Sequence, residues 1–576
     1  MKKRKKGSQI RVIALILLCL SGLLLWKVSF QKEEEKQQNP TETIAEERIF
    51  ENAWIVTYQD GILYVYAEGK LQEFYAEGIE ELKDVLADIE VIDNRVVRIA
   101  MKTDTIRGKV LAISKDFIEI EGYGKIPMSE HFAVYKNYGT LEQLSYTNIL
   151  VGYDAQEFIV GDGKVCGAVI QEPIEAKNIR VLLMTDNFEG QYHNEIKLYS
   201  EKGFYLFCGE EQVEYPPNTE LAFNLECEEL KNGSVQIKPL SEEDKTTILS
   251  ISRSQGHPSY YGNLEIRKEA EGLILINDIS LEKYLYSVVP SEMPASYGIE
   301  ALKAQAVCAR SYAYRQILAN KLSEFGAHVN DSTSYQVYNN QGDSEQAIQA
   351  VEETKGQIMT YQGDVIEAYY FSTSCGHTTN ADIWGEGINL PYIQGKYVGE
   401  SQEEIDFVEF IKNRDYDSYD KEFPWYRWNI FFSLEDIDRC LSEKGLLEQT
   451  GHVVKMEVTR RGAGSIAKEL TIAGEKGTAI IEKEYAIRTF LTPKNQALNR
   501  NDGEVLQNFS MLPSGFFILE EVQEEGELKG YQIYGGGFGH GAGMSQNGVK
   551  TMVGNGMSYL DVLKFFYTGI EIENVY

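Results

Sequence analysis

Glu292 is a carboxylate placed where an acid/base catalyst could sit. It lies within residues 281–318, LEKYLYSVVPSEMPASYGIEALKAQAVCARSYAYRQIL, where two helical patterns flank a proline-bounded break. Leu281, Leu285 and Val288 fall at helical spacing before Pro290 and Pro294 interrupt a continuous helix. Leu302, Ala306, Ala309, Ala313 and Ile317 define one face of a second helix, while Lys303 and Arg310 share another. A carboxylate held in the break near a basic side chain suits an acid/base catalyst. From these residues alone the better reading is a side chain that complements a helix dipole, since an acidic residue near a helix start is ordinary.

A second cluster closes the chain. GGGFGHGAGMSQNG, residues 535–548, sets His540 and Gln546 beside backbone that glycine allows to approach a ligand closely. No Lys-Ser/Thr pair follows, so it is not a phosphate loop. A tight turn in which His540 satisfies buried backbone is the alternative.

The elements that must carry these residues follow from composition and pattern. The 576 residues have room for about three or four domains. A formal net charge of −32 excludes nucleic acid as a partner and means that any glycan recognition is local rather than steered by the whole field. The start, MKKRKKGSQIRVIALILLCLSGLLLWKVSF, gives a basic tail at 1–9 and an apolar segment at 10–30 of the length needed to span a bilayer. The basic cluster predicts a cytoplasmic N-terminus with everything after Lys32 outside; a cleaved signal peptide is the rival reading, but no convincing small-x-small cleavage site follows the apolar run, so a retained anchor is the expectation. Residues 31–51 form a flexible acidic linker with little to bury. Seven cysteines, one of them Cys19 in the apolar segment, are too scattered for a disulfide framework.

Residues 52–171 read as a β-rich domain of unknown role. Its first signal is a hairpin at Asp60-Gly61, followed by runs at Val96–Met101, Val110–Ile113, Phe117–Ile120 and Phe132–Tyr135 and a pair around Gly161–Gly163. Beyond it, strand-like and helical runs alternate without a βαβ period, which predicts an α+β fold.

From YYGNLEIRKEAEGLILINDISLEKYLYSVVPSEMP through EALKAQAVCARSYAY the sequence resembles the SpoIID/LytB family of Gram-positive bacteria. The likeness continues through Asp331, QVY at Gln336–Tyr338, FSTSCGHTTN at Phe371–Asn380, PWYRW at Pro424–Trp428, the glycine-rich motif and SYLDVLKFFYTG, so that it covers roughly residues 177–576. It implies a SpoIID-like domain with a helical cleft region and mixed β structure. It also implies a peptidoglycan lytic transglycosylase whose one catalytic carboxyl group is Glu292, and this reverses the balance between the two readings of that residue. An ordinary glycosidase flanks the bond with two carboxylates. In this chemistry the C6 hydroxyl of N-acetylmuramic acid instead closes to a 1,6-anhydro ring, and one raised-pKa acid serves both proton transfers.

By the same resemblance Arg310, Gln336, Tyr338, Ser372, Ser374, His377, His540, Ser545 and Gln546 contribute to substrate binding, and Trp384 offers either a stacking face or a core tryptophan. Asp331, Asp382 and Glu386 are the carboxylates that a hydrolase would need as a second group. Some members carry a Cys/His cluster before QVY. Here Asn330, Ser334 and Tyr335 stand there, and His328, Cys375 and His377 fall short of a four-ligand zinc site, so no metal and no cofactor are expected. The expected partners are peptidoglycan glycan strands, a cell-wall amidase and the membrane through the N-terminal helix, in sporulation or in wall remodelling. The alternatives are a non-catalytic wall-binding protein or amidase activator of the LytB type and, less supported for want of an HExxH signature, a metallopeptidase built on His377 and His540.

Overall fold

The computed structural model describes residues 46–79, 81–338, 342–400 and 405–576. The chain is mixed α and β with strands predominating, and it divides into two compact units, one ending at Lys102 and one spanning Thr103–Tyr576. The expected basic tail, membrane segment and nearly all of the linker lie outside the described residues. Among the described residues no helix is long and apolar enough to cross a membrane.

In the first unit the Asp60-Gly61 hairpin joins Glu47–Gln59 to Ile62–Ala67. Its two turn residues take φ of 55° and 82°, the left-handed pair that a two-residue hairpin requires. Ile62–Ala67 alternates half-buried and buried positions, and its inward residues help to fill a closed barrel. The barrel order is Glu47–Gln59, Ile62–Ala67, Lys70–Tyr75, Arg95–Lys102, Lys83–Ile92, around a core that includes Ile55, Leu63, Val65, Phe74 and Ile89.

Strands Val110–Ile113 and Phe117–Ile120 form as the pattern predicts, within a seven-stranded sheet of the second unit. The stretch 52–171 therefore holds parts of two units. Long-range polar contacts tie this sheet to later segments of the second unit. Arg267 Nη2 donates to Glu119 Oε2 at 2.7 Å, His328 Nε2 to the Val151 carbonyl at 3.0 Å and Asn320 Nδ2 to the Ile149 carbonyl at 2.8 Å. All three donor side chains are buried, and leaving any one of them unpaired would cost ~1–3 kcal/mol.

A second seven-stranded sheet centres on Asn263–Glu269 and Gly272–Ser280, the latter buried along all but its last residue. It passes directly into the helix Leu281–Glu292, where Ser280 is the N-cap and accepts a hydrogen bond from the Lys283 amide. Here the structure corrects the expected break. Pro290 lies inside the last turn of this helix, Glu292 is its final residue, and extended Met293 (φ −139°, ψ 126°) ends it. A proline so near the end removes one hydrogen bond of a helix that is about to stop anyway. Helix Ile299–Ala319 comes next, and Leu302, Ala306, Ala309, Ala313 and Ile317 are all fully buried. Its alanines let the helices Leu281–Glu292, Glu345–Glu353 and Gln546–Gly554 pack close against it.

Between two parts of this core lies a subdomain with a core of its own, including Trp428, Ile430, Phe432, Leu470, Phe517 and Ile533. It holds the five-stranded sheet around Trp428–Ser433 and Glu527–Gly535, the three-stranded sheet Val453–Arg461, Ala467–Gly474, Thr478–Glu482, and the short helix Glu484–Phe490. The chain then returns to the main core through the glycine-rich motif.

Candidate active site

Glu292 stands at the wall of a cleft of ≈ 590 Å³. Its half-buried side chain is held by three donors. The Val337 amide donates to Oε1 at 2.9 Å, Gln546 Nε2 approaches Oε2 at 3.4 Å, and the Tyr370 hydroxyl bonds the carboxyl group. Among the described residues no cation forms an ion pair with it. Burial is the largest influence and raises its pKa above the ordinary carboxylate value, with the three hydrogen bonds acting the other way.

Each donor arrives by long-range folding. Tyr370 belongs to the two-residue strand Tyr370–Phe371, which pairs in parallel with Met544–Ser545 of the glycine-rich motif. Gly543 makes that pairing possible: its φ is 82°, and a Cβ there would collide with the Tyr369 carbonyl. Gln546 opens the helix Gln546–Gly554, and its Nε2 also donates to the Glu292 carbonyl at 2.9 Å. Gln336 Nε2 donates to the Ala309 carbonyl and the Tyr370 hydroxyl, each at 3.2 Å, so that hydroxyl accepts from Gln336 while it serves Glu292.

His540 lines the cleft but is committed to backbone. Nδ1 accepts from the Ala542 amide and Nε2 donates to the Tyr370 carbonyl, both at 3.1 Å, and burial lowers its pKa to about 4. It is a neutral imidazole with both nitrogens occupied, which fits the tight-turn reading and leaves neither nitrogen free as a base or ligand. Its ring joins an aromatic wall with Tyr369, Phe371 and Trp384, the Tyr369 and Trp384 centroids lying 4.5 Å apart.

Of the ten residues expected to bind substrate, Gln336, Ser372, Trp384, His540 and Gln546 line the cleft. Five do not. Arg310 is fully buried, its Nε and Nη2 on the two Glu282 oxygens at 2.9 and 2.6 Å, so its carboxylate partner is Glu282 rather than Glu292. Tyr338 is buried against Tyr284 and Tyr260, with its hydroxyl on Asn277 Oδ1 at 2.9 Å. Ser374 and Ser545 are buried on Asp420. His377 turns inward and bonds the Thr378 carbonyl at 2.7 Å. The other expected carboxylates are also elsewhere: Asp331 pairs with Arg253, Asp382 with Lys468 and Glu386 with Arg460, and none lines the cleft. His328 has both nitrogens engaged, by the Arg180 amide and the Val151 carbonyl.

Sequence reasoning misses Tyr370, although YYFSTSCG places it directly before a motif that the sequence does reveal. It also misses the wall contributed by the inserted subdomain, Glu484, Tyr485, Arg488 and Met511, for which no motif exists. Tyr485 is 60% exposed, whereas Glu484 and Arg488 are buried and paired at 3.2 Å.

Residues 269–361 match the family described as Stage II sporulation protein (SpoIID), and residues 380–499 and 492–543 match a Domain of unknown function (DUF8618). The chain is 30% identical over 314 residues to Stage II sporulation protein D of Bacillus amyloliquefaciens, which covers 52% of this chain and 75% of that protein. Against the protein of the same name in Bacillus subtilis (strain 168) the identity is 30% and the shares are 52% and 76%. An "Amidase enhancer" of Bacillus subtilis (strain 168) is 28% identical over 50% of this chain but only 40% of its own length.

Proposed function

The chain belongs to the stage II sporulation protein D family, and from that premise we propose that it cleaves the glycan strands of peptidoglycan as a lytic transglycosylase with Glu292 as its single acid/base. The observation that carries the proposal is the state of Glu292. It is a carboxyl group raised in pKa by burial, facing a cleft walled by aromatic rings, and held by neutral donors, with no cationic partner among the described residues.

In the proposed reaction protonated Glu292 gives its proton to the glycosidic oxygen as the C1–O bond breaks. The resulting carboxylate then takes the proton of the muramic C6 hydroxyl, whose oxygen closes on C1. Val337, Tyr370 and Gln546 stabilise the carboxylate formed between the two transfers. The sugar rings stack on Tyr369 and Trp384 from one side and Tyr485 from the inserted subdomain. A preference for strands stripped of stem peptides, and a location on the wall side of a membrane anchor at 10–30, belong to the same proposal.

The test is mass spectrometry of peptide-free glycan strands treated with the chain beginning at residue 46. Products with 1,6-anhydro-muramic ends that vanish in Glu292→Gln support it. Reducing ends would make the protein a hydrolase, and no cleavage by folded, strand-binding protein would overturn the enzymatic reading. The similarity to a protein named Amidase enhancer favours a second reading, stimulation of a wall amidase, which Glu292→Gln should leave intact.

A further inference from the structure

A buried carboxylate that takes no part in the reaction lies behind the cleft. Asp420 is fully buried, and among the described residues no cation forms an ion pair with it. Four donors converge on it. The Ser374 amide and the Ser545 hydroxyl donate to Oδ1 at 3.0 and 2.6 Å, the Ser374 hydroxyl donates to Oδ2 at 2.6 Å, and the Gly548 amide also bonds the carboxylate. These donors come from two segments far apart in sequence, FSTSCGH and GMSQNG.

Ser545 is the N-cap of Gln546–Gly554, its hydroxyl accepting from the Gly548 amide at 3.3 Å while it donates to Asp420. The carboxylate thus completes the cap of a helix whose first residue, Gln546, reaches both the carbonyl and the carboxyl group of Glu292. Space is reserved for this arrangement, since a Cβ on Gly548 would sit 2.8 Å from Asp420 Oδ2. On the other arm Ser374 fixes the loop after Ser372, and Asn547 clamps the same loop, its amide donating to the Ser372 carbonyl at 2.9 Å and its side chain to Thr373 Oγ1 at 2.8 Å.

We infer that Asp420 is a positioning residue that acts through Ser545 and Gln546, setting the helix start so that Gln546 meets Glu292 and holding Ser372 at the cleft wall. The inference rests on the reading of Glu292 as the catalytic group. Its physical content is an acceptor count. The Asp420 carboxylate offers two oxygens to four donors, whereas Asn offers one oxygen and turns an NH₂ group toward the remainder. Asp420→Asn therefore unseats the 545–548 turn without changing side-chain volume.

The experiment measures kcat and KM on peptide-free glycan strands for wild type, Asp420→Asn, Gln546→Ala and the double variant, each checked for folding by circular dichroism. Displacement of a group by about 1 Å costs on the order of 10²-fold in rate, so a kcat loss of roughly 10–100-fold with KM within about twofold is expected. The double variant should be no worse than Gln546→Ala alone, because the two residues act on one path. Losses that multiply, or full activity in Asp420→Asn, would overturn the inference. If Asp420→Asn does not fold, Ser545→Ala removes the side-chain link between Asp420 and the cap and is read by the same cycle. A crystal structure of whichever variant folds decides independently of turnover. The inference requires Gln546 Nε2 to have left Glu292 and fails if that contact is unchanged. Should the wild type prove inert on glycan, the proposed function falls while this structural readout still settles the role of Asp420.

Discussion

Replacing Tyr370 by Phe removes one of the three groups that hold the Glu292 carboxylate, and its effect on the pH profile has a definite sign. A hydrogen bond to the ionised form favours that form, so losing the Tyr370 hydroxyl raises the Glu292 pKa further. The Val337 amide at 2.9 Å and Gln546 Nε2 at 3.4 Å remain. Gln336 loses one acceptor but keeps the Ala309 carbonyl at 3.2 Å, so the wall survives. Hydrogen bonds to charged groups contribute ~1.5–3 kcal/mol, and water entering the cleft recovers part of that. A residual loss of ~1.4 kcal/mol corresponds to about one pH unit. Glu292 must carry a proton to act as an acid, so activity falls as pH rises through its pKa. The alkaline limb of kcat/KM should therefore move up by about one pH unit in Tyr370→Phe. Initial rates of glycan-strand cleavage across the pH range, with Glu292→Gln as the baseline, give the limb directly. A limb that stays in place, or moves to lower pH, would refute the view that Tyr370 stabilises the ionised acid.

Three further outcomes are expected from the same geometry. Glu484 is the other carboxylate of the cleft wall, but it is committed to Arg488. Glu484→Gln should still yield 1,6-anhydro ends, and a loss of cleavage comparable to that of Glu292→Gln would instead indicate a two-carboxylate mechanism. Tyr485 is exposed and carries only a stacking surface of ~0.5–1.5 kcal/mol, so Tyr485→Ala should raise KM for long strands by about three- to tenfold with kcat little changed, as steady-state kinetics would show. Arg310→Ala leaves the Glu282 carboxylate buried without its cation, with the Gly356 amide and the Tyr576 hydroxyl still donating to it. Denaturant unfolding should report a loss of ~3–5 kcal/mol, while KM of the protein that remains folded is unaltered, the opposite of what a substrate-binding arginine would show.

What could be read from the sequence was local. The five apolar residues from Leu302 to Ile317 define a helix face because their spacing is an intrinsic property of the helix, and all five are buried. The Asp60-Gly61 turn was legible because two adjacent residues that tolerate positive φ settle the hairpin by themselves. Glu292 was found, but its place at the end of a helix was not. The prolines marked an interruption without showing that the first of them would be accommodated inside the final turn.

What could not be read depends on partners distant in the chain. Arg310 lies on the same helix face as Lys303 and looks available, and only the fold brings Glu282, 28 positions earlier, against it and takes it out of the cleft. Ser374 and Ser545 lie in motifs that do belong to the site, yet their side chains serve Asp420 rather than the cavity, and His540 lines the cleft but spends both ring nitrogens on backbone. A motif marks where the chain must be held in a particular geometry, and most of its residues are spent on holding it. In this site the cost of that geometry falls on the glycine-rich segment, whose strand meets Tyr370 and whose helix delivers Gln546, so that a single carboxyl group, raised in pKa by burial, is held in one orientation.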